Sequence, residues 1–410
     1  MNGSRLHAAQ GALFRGGVLL TLCIAPTQWA LEVRPKFFLS PADLALALTA
    51  AVWLADICLA RDWKRLLPLP PWTHLLFVAL AGAAAMIAPF KLLAIKDFVQ
   101  YVEYFIIGHW VFASYLSESE RAGRRALAAL GIVTALILGL ALSQYFSSGT
   151  DALHVRGSFG NRNVLGGYLA LAMPMLFAGL SGVRPLWGKL LLALLLVAGL
   201  TVNLSGAAYF AIAGAIVWMA ATRGPHWFIP VVAVLIAWQT VVLQHLPRAN
   251  DIVHFQSLAL YNDSGTVERR YPDWQAAYSM ALTHPWLGVG LGNYQKHVGQ
   301  YYDNIPRQTG PSEPDIQNLY LVLAASAGWP AALAFLALFA GAMRAARKPG
   351  CASDADTLSV ALAQGVTGSL AAFAFTAVWH PLLERGIGLP LVFLIAFAYH
   401  LGHAKDAHGI

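Results

Sequence analysis

Arg269 and Arg270 stand side by side in a long polar stretch of an otherwise apolar chain. A guanidinium stays charged and grips phosphate oxygens through two parallel N–H bonds. An adjacent pair at a membrane surface suits a lipid-linked pyrophosphate; headgroup contact, or an ion pair with Glu268 or Asp273, is the plainer use of the same residues. A second cluster lies in VRGSFGNRNVLGGYLALAMPM at 155–175, where Arg156, Asn161, Arg162 and Asn163 precede an apolar helical run. The unpaired N–H groups and dipole of a helix start attract anions, and asparagine there also serves as an ordinary cap. Gly166 and Gly167 would let a neighbouring helix or a lipid chain come close.

Other polar residues carry less. Lys96, Asp97, Gln100 and Glu103 open an apolar run. Ionisable groups at membrane depth usually face the protein interior, which points to an internal polar network rather than catalysis. Histidines 154, 245, 254, 284, 297 and 380 all fall towards one side of the membrane, and any could act as a general base. Each is equally readable as a capping or interfacial residue. No HExxH or comparable metal spacing occurs, and no cofactor is expected. Gly288, Gly290 and Gly292 in GVGLGN lack the strand–turn–helix setting of a dinucleotide site and read as turn glycines.

The elements that must position these residues are membrane helices. Hydrophobic residues make up 58% and charged residues 11% of the 410 residues, far from the roughly 25% charged of a soluble domain. Twelve apolar runs long enough to cross a bilayer are read at 13–31, 41–60, 72–90, 96–116, 124–147, 163–182, 186–203, 206–222, 227–245, 317–344, 357–380 and 386–404. The break near 203–206 is the weakest. The expected fold is all-α and polytopic, a single transmembrane domain over 1–410 with one long loop at 247–316. Pro272 is expected to open a helix in that loop that stops near His284, with a second short helix from Tyr294 to Tyr302.

Orientation follows from the basic residues. With a cytoplasmic N-terminus, 15 Lys and Arg fall on the inner side, 7 in the outer short loops and 5 in the long loop, together the 27 of the chain. That asymmetry puts both termini in the cytoplasm and 247–316 outside. The net charge of +7 then reflects topology, and its scatter over many short loops gives no nucleic-acid surface. Cys23, Cys58 and Cys351 imply no disulfide framework. The first run, lacking a small-residue cleavage pattern, is expected to be a retained helix.

Taken together, these pieces resemble the O-antigen ligase and O-antigen polymerase superfamily. The resemblance rests on RGSFGNRNVLGGYLALAMPM, on RRYPDWQAAYSMALTHPWLGVGLGNY and on IQNLYLVLAASAGWPAALAFLALF, in that order along the chain. It implies a metal-independent glycosyltransferase of the bacterial inner membrane, active on the periplasmic side. Such an enzyme moves a glycan from undecaprenyl pyrophosphate to a hydroxyl of lipid A core, of another glycan or of a protein. By the resemblance, Arg270, Gln317 and Asn318 are the catalytic candidates. Arg156, Asn163, Arg269 and Tyr320 are the substrate-binding ones. Two positions depart from the family pattern: Gln317 stands where the ligases carry a histidine base, and Gly206 where an arginine is common. Glutamine takes up no proton at neutral pH. Either another group supplies the base, or positioning and leaving-group stabilisation suffice, or the chain is an altered relative. Lacking the ligase base, the chain leans towards a polymerase or a specialised ligase. A transporter of lipid-linked or small solutes, or a non-catalytic scaffold for envelope-glycan assembly, are the rival readings. The paired mid-membrane interruptions of transporters are not evident.

Overall fold

A computed structural model of the chain describes residues 2–34, 37–66, 69–147, 155–203, 205–238, 240, 265–302, 316–347 and 357–403. It is nearly all helical. The helices are α1 (Asn2–Ile24), α2 (Pro41–Ala60), α3 (Trp72–Ile87), α4 (Lys91–Val102), α5 (His109–Ser117), α6 (Glu120–Ser147), α7 (Arg162–Gly179), α8 (Leu186–Val202), α9 (Gly206–Arg223), α10 (Pro225–Ala237), α11 (Gly265–Thr283), α12 (Tyr294–His297), α13 (Leu319–Arg347), α14 (Thr357–Thr376) and α15 (Gly388–His403). Five of them, α2, α6, α9, α13 and α14, are long and apolar enough to cross a membrane, and α1, α3, α8, α10 and α15 contribute shorter apolar helices. Leu48 of α2 is 68% exposed and Leu194 of α8 64% exposed. Helices apolar on their outward faces belong in lipid, so the chain is a multi-pass membrane protein.

Several boundaries differ from the sequence reading. The first helix ends at Ile24, because Pro26 cannot continue it and disfavours helical backbone at Ala25. A short antiparallel hairpin follows, β1 (Leu31–Arg34) against β2 (Phe37–Leu39), with Leu31 opposite Leu39. The run read as 96–116 starts at Lys91 and reaches Ser117, passing through a π-helical turn over Glu103–Gly108. The break between α8 and α9 falls near 203–206 as the sequence suggests, and 241–245 lies outside the described residues.

Where α2 begins, Ser40 and Asp43 form a reciprocal capping box, with Pro41 at the first helical position. Arg385 reaches across from the α14–α15 connection to Asp43 at 3.3 Å. The core is built by α7 packed on α9 and α14, and by α13 lying between α3, α14 and α15. Further contacts tie the connections together: Arg15 pairs with Glu118, Arg223 bonds Gln364, Asn293 bonds Phe90, and Ser158 bonds Pro26.

Helix α11 begins two turns before Pro272, which sits inside it. One lost backbone bond there is offset by tertiary packing. Ala276, Ala277, Met280 and Ala281 are all buried, and the helix lies against α13. Tyr278 and Leu282 point away, half exposed. The helix stops at Thr283, next to the residue read as its end. GVGLGN is a turn in which Gly288, Gly290 and Gly292 all have positive φ. Beyond it come α12 and a 3₁₀ turn over Val298–Tyr301. The turn docks into a kink of α13 at Gly328 (φ 86°), where a Cβ would lie 2.1 Å from the Trp286 carbonyl oxygen.

Candidate active site

Three breaks in the helical bundle meet beneath α11. The first is the start of α7. Asn161 accepts hydrogen bonds from the backbone N–H groups of Asn163 and Val164 at 2.9 and 3.0 Å, capping the helix and fixing Arg162 in its first turn. The second is the α8–α9 break. It lies close against α7 because Gly166 has no side chain: a Cβ there would fall 2.7 Å from that of Ser205 and 3.1 Å from Asn203 Oδ1. The third is the connection after α14, which meets the start of α13. The Leu319 N–H donates to the Ala377 carbonyl at 2.9 Å, and so brings Gln317 alongside His380.

These breaks build a continuous hydrogen-bonded line. Ser205 Oγ lies 3.2 Å from His380 Nε2, and His380 Nδ1 lies 3.2 Å from Gln317 Oε1. Ser205 and His380 are buried. Over them, α11 lays Arg270 and Trp274, one turn apart on one face. Arg270 Nη1 donates to the Trp379 carbonyl at 3.0 Å, and Trp274 Nε1 to the Gln317 carbonyl at 3.2 Å. The Trp274 ring packs on Trp379 with centroids 5.4 Å apart. Tyr302 hydrogen-bonds Asp273, tying the second loop helix to the same support.

The electrostatics of the site are positive. Burial lowers the pKa of Arg270, the charge of Arg162 lowers it further, and Asp273 opposes both; a guanidinium nevertheless remains protonated. His380 is pushed down to about 3, first by burial, then by Arg270 and Arg162. It is a neutral imidazole at physiological pH. No carboxylate among the described residues forms an ion pair with Arg162 or Arg270. The site can therefore take an anion between two guanidiniums, next to a neutral imidazole. Among the described residues no group of three His, Cys, Asp or Glu side chains could hold a metal ion.

The residues singled out from the sequence fall into three groups. Arg270 and Gln317 come together at the site. Asn163 lies half-buried in the first turn of α7, next to Arg162. Asn318, Tyr320 and Arg156 serve local structure. The Asn318 side chain accepts from the Leu321 N–H at 3.0 Å and caps α13, Tyr320 donates to the Ala374 carbonyl at 2.8 Å, and exposed Arg156 turns back on the Gly160 carbonyl. The Arg269 side chain, like His154, His245 and His254, lies outside the described residues. Sequence reasoning passed over Ser205 and treated His380 as one histidine of six. Only their juxtaposition distinguishes them. Lys96, Asp97, Gln100 and Glu103 form local polar contacts: Lys96 pairs with Asp97 at 3.4 Å, Gln100 donates to Tyr104 at 2.8 Å, and Glu103 adjoins Asp43.

Fold and site together define a multi-pass membrane protein in which two arginines, Arg162 and Arg270, lie near a buried histidine where three helix breaks meet. Residues 163–336, from the first turn of α7 into α13, match the model of the O-antigen ligase family. No curated protein matches the chain.

Proposed function

We propose that this protein is a glycosyltransferase of the bacterial inner membrane. It moves a glycan from undecaprenyl pyrophosphate to an acceptor hydroxyl on the periplasmic side. The observation that carries the reading is that Arg162 and Arg270 lie close enough to act on each other and both on buried His380, with Arg270 inside the matched family region and Arg162 one residue before it. Two fixed guanidiniums neutralise a pyrophosphate in the ground state and stabilise the charge that builds on it as the glycosidic bond breaks. Arg162 thus takes the part expected of Arg156, which bonds its own loop. The reaction asks for no metal, since the leaving group's charge is met by arginine.

The carrier's tail has a path. An apolar cavity of about 440 Å³ lies along α7 between α6, α8 and the start of α14, lined by Tyr168, Leu171, Ala172 and Met175 among others. It begins about 9 Å along the helix axis from Arg162, six residues at 1.5 Å each. In this reading both termini are cytoplasmic and the chain crosses the membrane about twelve times. The loop 247–316 lies outside, in line with the basic asymmetry. Ligase and polymerase share this donor chemistry and differ in the acceptor. The test is purified protein in detergent with a total membrane lipid extract of the source cells, which supplies carrier-linked donors and candidate acceptors. Release of undecaprenyl pyrophosphate that depends on Arg270 supports the reading. Absence of release from the wild-type protein contradicts it and leaves transport or scaffolding.

A further inference from the structure

We propose that His380 is the acid–base group of glycan transfer, taking the acceptor's proton through Ser205 while Gln317 fixes its tautomer; the proposal rests on the glycosyltransferase reading above. The family's histidine position is filled here by Gln317, which has no proton-accepting nitrogen. The Gln317 side chain is instead bonded to an imidazole delivered from another element, the connection after α14, outside the matched region. The carboxamide oxygen can only accept, so His380 Nδ1 carries the hydrogen and Nε2 presents its lone pair. That lone pair is aimed at Ser205 Oγ. A hydroxyl donating to an imidazole oriented from its far nitrogen is the arrangement that activates oxygen nucleophiles on unrelated folds.

Two further observations set this line apart from a merely satisfied buried histidine. Ser205 occupies the N-cap position of α9 but makes no side-chain capping bond; its hydroxyl, which ordinarily caps a helix start, is turned to His380 instead. Beside it, Asn203 is 1% exposed, and its Nδ2 has no hydrogen-bond partner among the described residues. Its Oδ1 already accepts from the Ser205 N–H at 3.2 Å. Buried amide donors are rarely left unsatisfied. An acceptor sugar oxygen held between Asn203 Nδ2 and Ser205 Oγ would satisfy the one and lose its proton to the other.

The step balances. The acceptor O–H gives its proton to Ser205 Oγ as the Ser205 proton passes to His380 Nε2. The acceptor oxygen bonds to the anomeric carbon, and the bond from that carbon to the phosphate oxygen breaks with its electron pair on the departing undecaprenyl pyrophosphate. His380 then returns the proton to water or to the released pyrophosphate. The charged groups facing His380 are Arg270 from α11 and Arg162 from α7, with Asp273 next to Arg270. An arriving pyrophosphate neutralises both arginines and so lifts the part of the depression that they cause, while burial, the larger cause, remains.

The test uses full-length protein in detergent with the membrane lipid extract, read as release of undecaprenyl pyrophosphate. His380→Gln should lose about 10²–10⁴-fold in kcat, with the donor KM within about threefold. Returning the imidazole to the other position, in the double variant Gln317→His with His380→Gln, should recover at least about tenfold of that loss. Gln317→Glu, which places a carboxylate on Nδ1, should move the acidic limb of the pH–rate profile upward by about one unit. Turnover by His380→Gln within threefold of wild type overturns the proposal and leaves the glycosyltransferase reading standing. No release by wild type overturns that reading and this one with it. Should His380→Gln fail to accumulate, Gln317→Glu decides: a shifted limb supports the proposal and an unmoved one overturns it.

Discussion

At the scale of single residues, the proposed chemistry rests on the charge of Arg162 and Arg270 and on the tautomer of His380. Arg270→Ala removes one charge-assisted contact and should cost roughly 1.5–3 kcal/mol of transition-state stabilisation, about ten- to hundredfold in rate. Arg270→Lys should be nearly as impaired, because an ammonium lacks the bidentate fork. Arg162→Ala should behave like Arg270→Ala, and Arg156→Ala should stay within a few-fold of wild type, since exposed Arg156 bonds its own loop. Steady-state rates at equal expression check all four, and full activity in Arg270→Ala would remove it from the site. His380 gives a second readout. Its pKa in the folded protein is about 3, below the ordinary 6.5, so between those values the unfolded chain binds more protons than the folded one. The stability that neutral His380 contributes is complete above pH 6.5 and is lost as pH falls towards 3, by about 1.4 kcal/mol per pH unit. Thermal unfolding in detergent at pH 7.5 and pH 5 should separate more for wild type than for His380→Gln. Equal separations would mean that His380 is not held neutral.

At the scale of elements, close approach of three helix breaks makes the site. Gly166→Leu should drive α9 away from α7 and break the Ser205–His380 contact, because the space a side chain needs is already held by Ser205 and Ala208. Transfer should be lost while the detergent-solubilised protein remains folded; unchanged turnover would show that the break tolerates separation. Ala172→Trp, which fills the cavity along α7, should raise the KM for a full-length polyprenyl donor more than for a short-chain analogue. The sequence made much of this legible. Helix starts carry their caps in the residue types, as at Ser40 and Asn161, and the turn at 288–292 carries its positive φ values in its glycines. The hairpin at 31–39 falls almost wholly in the short connection between the first two runs, where no strand pattern is legible. The start of α11 was missed because Pro272 is a strong local signal that packing against α13 overrides. Within the site, arginines announce phosphate chemistry by type alone. Ser205 and His380, 175 residues apart, do not. Their meaning depends on Gly166 and on the bond from Leu319 to Ala377, long-range contacts that no local spacing encodes.

At the scale of the whole molecule, orientation decides which side of the membrane the chemistry faces. In a cysteine-free background, Gln300→Cys should be labelled by an impermeant thiol reagent applied from outside, and Thr357→Cys only after the membrane is opened. The reverse pattern would invert the topology. In the proposed reading the donor stays anchored in lipid while Arg162 and Arg270 meet its pyrophosphate and the apolar cavity along α7 takes part of its tail. The central claim is that the Arg162–Arg270 pocket releases undecaprenyl pyrophosphate by glycan transfer. The most direct measurement is mass spectrometry of the carrier lipids after purified protein is incubated with the membrane lipid extract, wild type beside Arg270→Ala. The account predicts free undecaprenyl pyrophosphate matched by an equal amount of newly glycosylated acceptor, falling about ten- to hundredfold in the variant. Carrier-linked glycans left intact by the wild-type protein, or equal release by the two proteins, would contradict it.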